Sequence, residues 1–317
     1  MSKFTRSWLL FKSSISVIAR NKELLVFPIV ISVLSVVIIL FFVAPVALWP
    51  TGHSYTSLEH WQAIGSTFFT VSDNAASTHM GRTASFSHTG GITYSPAAIA
   101  YLVLLYFVSM FLATFFNVAF YNEILAALTG KPVSLSRGLK FACSRYQAIL
   151  MWTLFAGLIG LIIKAMEQKL DIVGKIIARM IGVAWSVASV FVIPIIVRDQ
   201  QSVNPVNMLR KSAETLKRTW GEALIGYAGI AFGNLIVVFG SLILLGGAVY
   251  ASIQTNNYVL LAVAVSVWFL GLLAWSYLMN VAGLVYKGAL YLYAAEGVIP
   301  APYSREMLDA AWKFKKS

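Results

Sequence analysis

From Ala223 to Tyr286 the sequence places no charged side chain, and its only polar interruption is "SIQTNN" at Ser252 to Asn257. A helix needs roughly 20 apolar residues to cross a hydrocarbon core about 30 Å thick, so this interval predicts a hairpin of two membrane-spanning helices. Four more charge-poor runs have the same character, and together the expected spans are residues 24–49, 96–120, 148–163, 180–197, 223–250 and 259–286. Of the 317 residues, 59% are hydrophobic and only 11% charged, and the mean hydropathy is +0.77. A soluble protein of this size could not hide so much apolar surface. Strands of a membrane barrel would appear as short alternating segments, whereas these runs are apolar on every face. The expected fold is therefore all-α: a polytopic membrane helix bundle, with residues 1–317 forming a single integral membrane domain.

Orientation follows from the basic residues. With the N-terminus inside, the cytoplasmic segments hold all but Arg82, Lys164, Lys169, Lys175 and Arg179 of the 24 Lys and Arg residues. This asymmetry predicts a multi-pass cell-membrane protein with both termini cytoplasmic. It also accounts for the net charge of +12 without nucleic acid, because the charge is spread over every cytoplasmic segment as insertion requires. The motif "APVALWP" at Ala44 to Pro50 has small residues at signal-cleavage spacing. The apolar run before it is about twice the usual length, so an uncleaved first span is expected.

Two basic segments carry helical periodicity. Phe4, Trp8, Phe11, Ile15 and Ile18 recur at steps of four and three within residues 1–23, predicting an amphipathic helix that lies flat on the cytoplasmic leaflet. "RNKE" then reads as an elbow into the first span, with Glu23 in the first turn of the new helix and Pro28 tolerated near its start. At residues 204–220, Asn204 is the expected N-cap, Pro205 the first helical position, and Leu209, Ala213, Leu216 and Trp220 the apolar seam; Gly221 and Glu222 are expected to end this helix. Shifted by 199 positions, Leu10, Lys12, Ser13, Glu23 and Leu25 coincide with Leu209, Lys211, Ser212, Glu222 and Leu224. A shorter version, "VSLSRGLKFACSRYQAIL", precedes the third span. The chain thus reads either as three units, each a basic helix followed by a membrane hairpin, or as loops made alike by composition.

"KELLVFP" at Lys22 to Pro28, "LKRTWGE" at Leu216 to Glu222 and "YKGALYLYAAEG" at Tyr286 to Gly297 resemble the recurring blocks of an uncharacterised prokaryotic family of six-span integral membrane proteins, a domain of unknown function. The likeness spans nearly the whole chain. It implies architecture and brings no activity, substrate or catalytic residue. Residues 50–95 form a longer extracytoplasmic loop than that family's pattern has.

This loop holds all four histidines, His53, His60, His79 and His88, and a short interfacial helix is expected near Ser57 to Val71. The histidine spacings do not match a metal site, and flexible surface histidines are expected. Cys143 is the only cysteine, which excludes a disulfide framework within one chain. No nucleophile elbow, P-loop or H-E-x-x-H is present, so neither a catalytic residue nor a metal or other cofactor is expected.

Polar residues within spans are better clues. Asn117, Asn122 and Glu123 near the end of the second span, with Asn280 in the sixth, form a candidate intramembrane polar site. Glu123 reads either as an interfacial carboxylate paired with Arg or Lys or as a cation or proton site; Asn280 and Asn234 read as interhelical hydrogen-bonders. Gly226, Gly229, Gly233, Gly240 and Gly247 mark one face of the fifth span as a helix-packing face, either internal or between subunits. Lys164, Asp171, Lys175 and Arg179 follow at helical steps, with Glu167 between the first two. Lys175 and Arg179 are then a candidate anionic-lipid site at the outer leaflet, the alternative being a solvated stripe balanced by Asp171 and Glu167.

Three functions are weighed, of which an enzyme, an intramembrane hydrolase without a recognisable motif, is discounted and two are favoured. One is a non-enzymatic membrane factor that organises lipids or binds a partner, either another membrane protein or a second copy of the chain. The other is a solute or ion transporter or channel, for which Pro28, Pro45 and Pro194 within spans and polar Asn117 and Glu123 speak. No charged residue is evident deep in a span, which favours the first.

Overall fold

The computed structural model describes residues 3–71 and 92–309; within these, the side chains of residues 3–8, 68–71, 92–94, 97, 218–234, 236, 306 and 309 are not described. The molecule is an all-α helical bundle, and among the described residues six helical segments are long and apolar enough to cross a membrane: Lys22–Ala47, Ala98–Leu128, Tyr146–Lys169, Ile172–Arg198, Val237–Gln254 and Tyr258–Glu296. Their outward faces are apolar, with Leu40, Phe41, Ile243, Leu244 and Val259 exposed, as lipid contact requires and water would not permit. The chain divides into two compact units, Ile31–Leu112 on the one hand and Met1–Val30 with Ala113–Ser317 on the other.

In the first unit, helix α2 (Val26–Ala47) runs on past Pro45, and helix α4 (Pro96–Leu128) begins. Tyr101 donates its hydroxyl hydrogen to the Phe42 carbonyl between them. The loop contains α3 (Leu58–Phe68) and a short antiparallel strand pair, Phe69–Val71 with Ile92–Tyr94, which periodicity did not predict. His60 corrects the expectation of surface histidines. It is fully buried between the rings of Tyr55 and Trp61, with Nε2 at 2.9 Å from the Ala47 carbonyl and Nδ1 at 2.6 Å from the Thr51 hydroxyl. Both ring nitrogens have partners at the end of α2, which is why an aromatic pocket can hold the side chain. His53 is exposed, while His79 and His88 lie outside the described residues.

In the second unit, α1 (Lys3–Arg20) turns through a 3-10 segment at Lys22–Leu25 into α2, so the elbow at "RNKE" is present. The face of α1 differs from expectation. Leu10, Ser13, Ser14, Val17 and Ile18 are buried, and the helix packs on α9 (Pro205–Gln254) and α10 (Tyr258–Tyr291) instead of lying only on lipid. The paired serines meet the C-terminal segment: Ser14 shares a 2.8 Å hydrogen bond with Tyr303, and the Ser13 hydroxyl lies 3.8 Å from the Met307 sulfur.

The second correction concerns α9. Asn204 caps it as expected, its side chain accepting from the Val206 and Asn207 amides, with Pro205 in the first turn. Yet the helix runs unbroken to Gln254, so residues 204–220 are not a separate element. One glycine inside a helix costs only about 1 kcal/mol, and no proline or polar cap follows Gly221 to stop the ladder. The third correction is the charge ladder. Helix α6 (Tyr146–Lys169) and helix α7 (Ile172–Ala188) are separated by a turn at Leu170 and Asp171, so Lys164 and Lys175 are on different helices.

Candidate functional site

The most thoroughly buried side chains of the second unit gather where the basic segments meet the spans. Leu24, Phe27, Phe120, Ile124, Ile149, Ile196, Met208, Tyr286 and Leu290 are all nearly inaccessible, and Phe27 stacks on Phe120 with ring centroids 5.1 Å apart. Among them sits a polar network.

Helix α4 ends at Leu128, Gly130 turns the chain at a positive φ of 75°, and Ser134 caps α5 (Leu135–Ser144). This turn returns Arg137 to Glu123. Nε of Arg137 donates to Oε1 at 3.0 Å and Nη2 to Oε2 at 2.5 Å. The Asn122 amide donates to Oε1 at 2.8 Å and the Ser134 N–H to Oε2 at 2.7 Å, so a fully buried carboxylate has both oxygens filled. Gly138 makes the approach feasible: a Cβ there would lie 2.8 Å from the Ala119 carbonyl oxygen.

Pro194 has no N–H to offer the ladder, and the fourth span breaks between α7 and α8 (Val192–Arg198). The Phe191 N–H donates instead to the buried Ser212 hydroxyl of α9 at 3.0 Å. Beyond α8, Arg145 donates to the carbonyls of Ile196, Asp199, Gln200 and Ser202, which the end of the helix leaves without amide partners. Lys211 of α9 donates to Asp199 at 2.5 Å and holds that carboxyl below its ordinary range, while Arg198 pairs with Glu296 at 2.9 Å.

Of the sequence-predicted site, the structure brings Asn122 and Glu123 together. Asn117 is half-buried and Asn280 exposed, and neither joins them; Asn280 makes no side-chain hydrogen bond among the described residues. The side chain of Asn234 lies outside the described ones. Of the two readings of the glycine face, packing within the chain is not met at Gly240 and Gly247, where a Cβ would lie within 4 Å of nothing; α10 meets α9 nearby through Trp268, which donates to the Ser241 hydroxyl at 3.1 Å, and the reading as a face between subunits is untouched by this. Gly226, Gly229 and Gly233 belong to the stretch whose side chains are not described. Arg179 donates to Glu167 at 2.9 Å across the α6–α7 turn, leaving Lys175 exposed beside it.

Sequence reasoning passed over Lys131, Arg137, Arg145 and Arg198 as orientation signals. Only the "TGKPVS" turn after the second span hinted that Arg137 returns toward Glu123. Three of these residues, Lys131, Arg137 and Arg198, line a cavity of about 500 Å³ together with Asn122, Phe141 and Gln200, among others.

The profile of a family of unknown function, DUF6159, matches residues 96–300, and the chain belongs to that family. No curated protein and no solved structure matches it.

Proposed function

We infer that this member of the family is a non-enzymatic factor of the cell membrane, with both termini in the cytoplasm, that holds lipid or a partner at its basic face. The state of Glu123 carries this reading. A carboxylate that takes up and releases protons or cations must lose its partners in turn, whereas this one is buried, ion-paired and doubly hydrogen-bonded. It works as a clamp between α4 and α5. The polar groups described around it likewise serve helix ends.

The break between α7 and α8 favours the second reading, a solute or ion pathway, because transporters bind substrates at discontinuous helices. Here the freed Phe191 amide is satisfied by Ser212 and the end of α8 by Arg145, so those groups are already occupied. The test is reconstitution into vesicles holding pH- and potassium-sensitive dyes. Flux should equal that of protein-free vesicles, while native mass spectrometry of the detergent-extracted protein should show retained anionic lipid. A protein-dependent flux that Glu123→Gln abolishes would overturn the reading in favour of transport.

A further inference from the structure

Two cavities within the unit Met1–Val30 and Ala113–Ser317 share one wall. The larger, of about 500 Å³, presents Lys131, Arg137 and Arg198 above Leu125, Phe141 and Val197. The smaller, of about 390 Å³, shares Lys131 and adds Arg20, over Val17, Leu128 and Pro302. Among the described residues no carboxylate lines either one.

The carboxylates nearest by pairing are already committed. Glu123 holds Arg137 and Glu296 holds Arg198, in each case with the arginine Nε among the contacts. The Arg137 guanidinium is thereby fixed and Arg198 is tethered at Nε, while Nη1 of Arg137 and both Nη atoms of Arg198 make no hydrogen bond among the described residues. Lys131 and Arg20 are exposed and make no ion pair among the described residues. Guanidinium forks held at Nε beside a mobile ammonium suit a tetrahedral, multiply charged oxyanion better than a single carboxylate. The Asn122 amide and Thr129 hydroxyl add neutral donors at the wall. An apolar floor at the ends of membrane-spanning helices places such an anion at head-group depth, where basic pockets between helices take lipid phosphates.

We propose that these two cavities, which meet at Lys131, form a binding site for a phosphate monoester, borne by a lipid head group or supplied as the free anion. The proposal names the ligand class for the lipid-holding role inferred above and rests on that reading. The two fail separately, since vesicle flux decides the role and binding decides the site.

The experiment titrates the full-length protein, in neutral detergent, with dioctanoyl phosphatidic acid, dioctanoyl phosphatidylcholine and inorganic phosphate, following tryptophan fluorescence. Phosphatidic acid should bind and phosphatidylcholine should not. Lys131→Gln with Arg198→Gln should weaken binding by about tenfold or more. Lys175→Gln with Arg179→Gln, an equal loss of charge at the α6–α7 turn, should change it by less than about twofold. Lys131→Gln alone, which removes no hydrogen bond or ion pair among the described residues, carries the test should the double variant not fold. Displacement of phosphatidic acid by inorganic phosphate at similar concentration assigns the free anion, and failure of inorganic phosphate to compete assigns the head group. Equal weakening by both pairs of substitutions, or equal binding of phosphatidylcholine, overturns the proposal.

Discussion

Arg145 illustrates why a single side chain can decide how two spans meet. It is buried, starts the third span, and donates to four carbonyls that follow or end α8, so a residue counted for its charge also closes a helix end. Arg145→Lys keeps the charge but offers a point ammonium in place of a planar fork, and so cannot reach four carbonyls spread over Ile196 to Ser202. We predict a loss of roughly 1–3 kcal/mol for Arg145→Lys and roughly 2–4 kcal/mol for Arg145→Met, which leaves those acceptors in a desolvated site with no donor. Melting in detergent by circular dichroism measures this. A lysine variant as stable as the parent would show that water already satisfies the carbonyls. This role was invisible in the sequence because all four partners lie more than 50 positions away, beyond any local pattern. The Asn204 cap was legible for the opposite reason, since its partners are two and three residues on.

Glycines at the scale of helices behave in opposite ways according to what faces them. On α5, a Cβ at Gly138 would press on the Ala119 carbonyl oxygen at 2.8 Å, the Glu123 Cγ at 3.0 Å and the Phe27 ring at 3.2 Å, and a backbone oxygen of α4 cannot turn aside. Gly138→Ala should therefore push α5 from α4, stretch the Arg137–Glu123 pair and cost roughly 1–3 kcal/mol. On α9, Gly240 faces open space, and Gly240→Ala should gain up to about 1 kcal/mol of helix propensity. Opposite shifts in melting temperature are expected, and two equal losses would mean that α9 is covered at Gly240 by a partner. The contrast explains how far the elements could be read. Long apolar runs announced the helices, since composition alone decides what can cross a bilayer. The glycine spacing on α9 looked like a packing face but carried no information on whether a helix lay opposite, whereas lone Gly138 had no pattern and proved tight. The same limit applied to Gly221, because a glycine signals a stop only when something beyond it takes up the freed carbonyls.

Burial in the unit containing the termini is distributed with a polarity that bears on the orientation of the whole molecule. Its buried clusters lie at the start of α2, the end of α4, the start of α6, in α8 and at the end of α10, successive crossings thus contributing opposite chain ends. Such alternation puts one set of helix ends on a common side, and these are the ends adjoining Lys22, Lys131, Arg145, Arg198 and Lys287. The sequence supplied the charges, but not the fact that a dense polar and apolar core lies beside them. Positive residues are retained on the cytoplasmic side during insertion, so this core should face the cytoplasm. Cys143, exposed on α5, and Ser54, exposed in the loop before α3, are then expected on opposite sides of the membrane. In intact cells a membrane-impermeant maleimide should leave Cys143 unmodified and label it once the membrane is opened. Ser54→Cys in a Cys143→Ser background should react in intact cells. Labelling of Cys143 from outside, with protection at position 54, would invert the molecule; labelling of both from outside would remove the intervening crossing and with it the six-span topology.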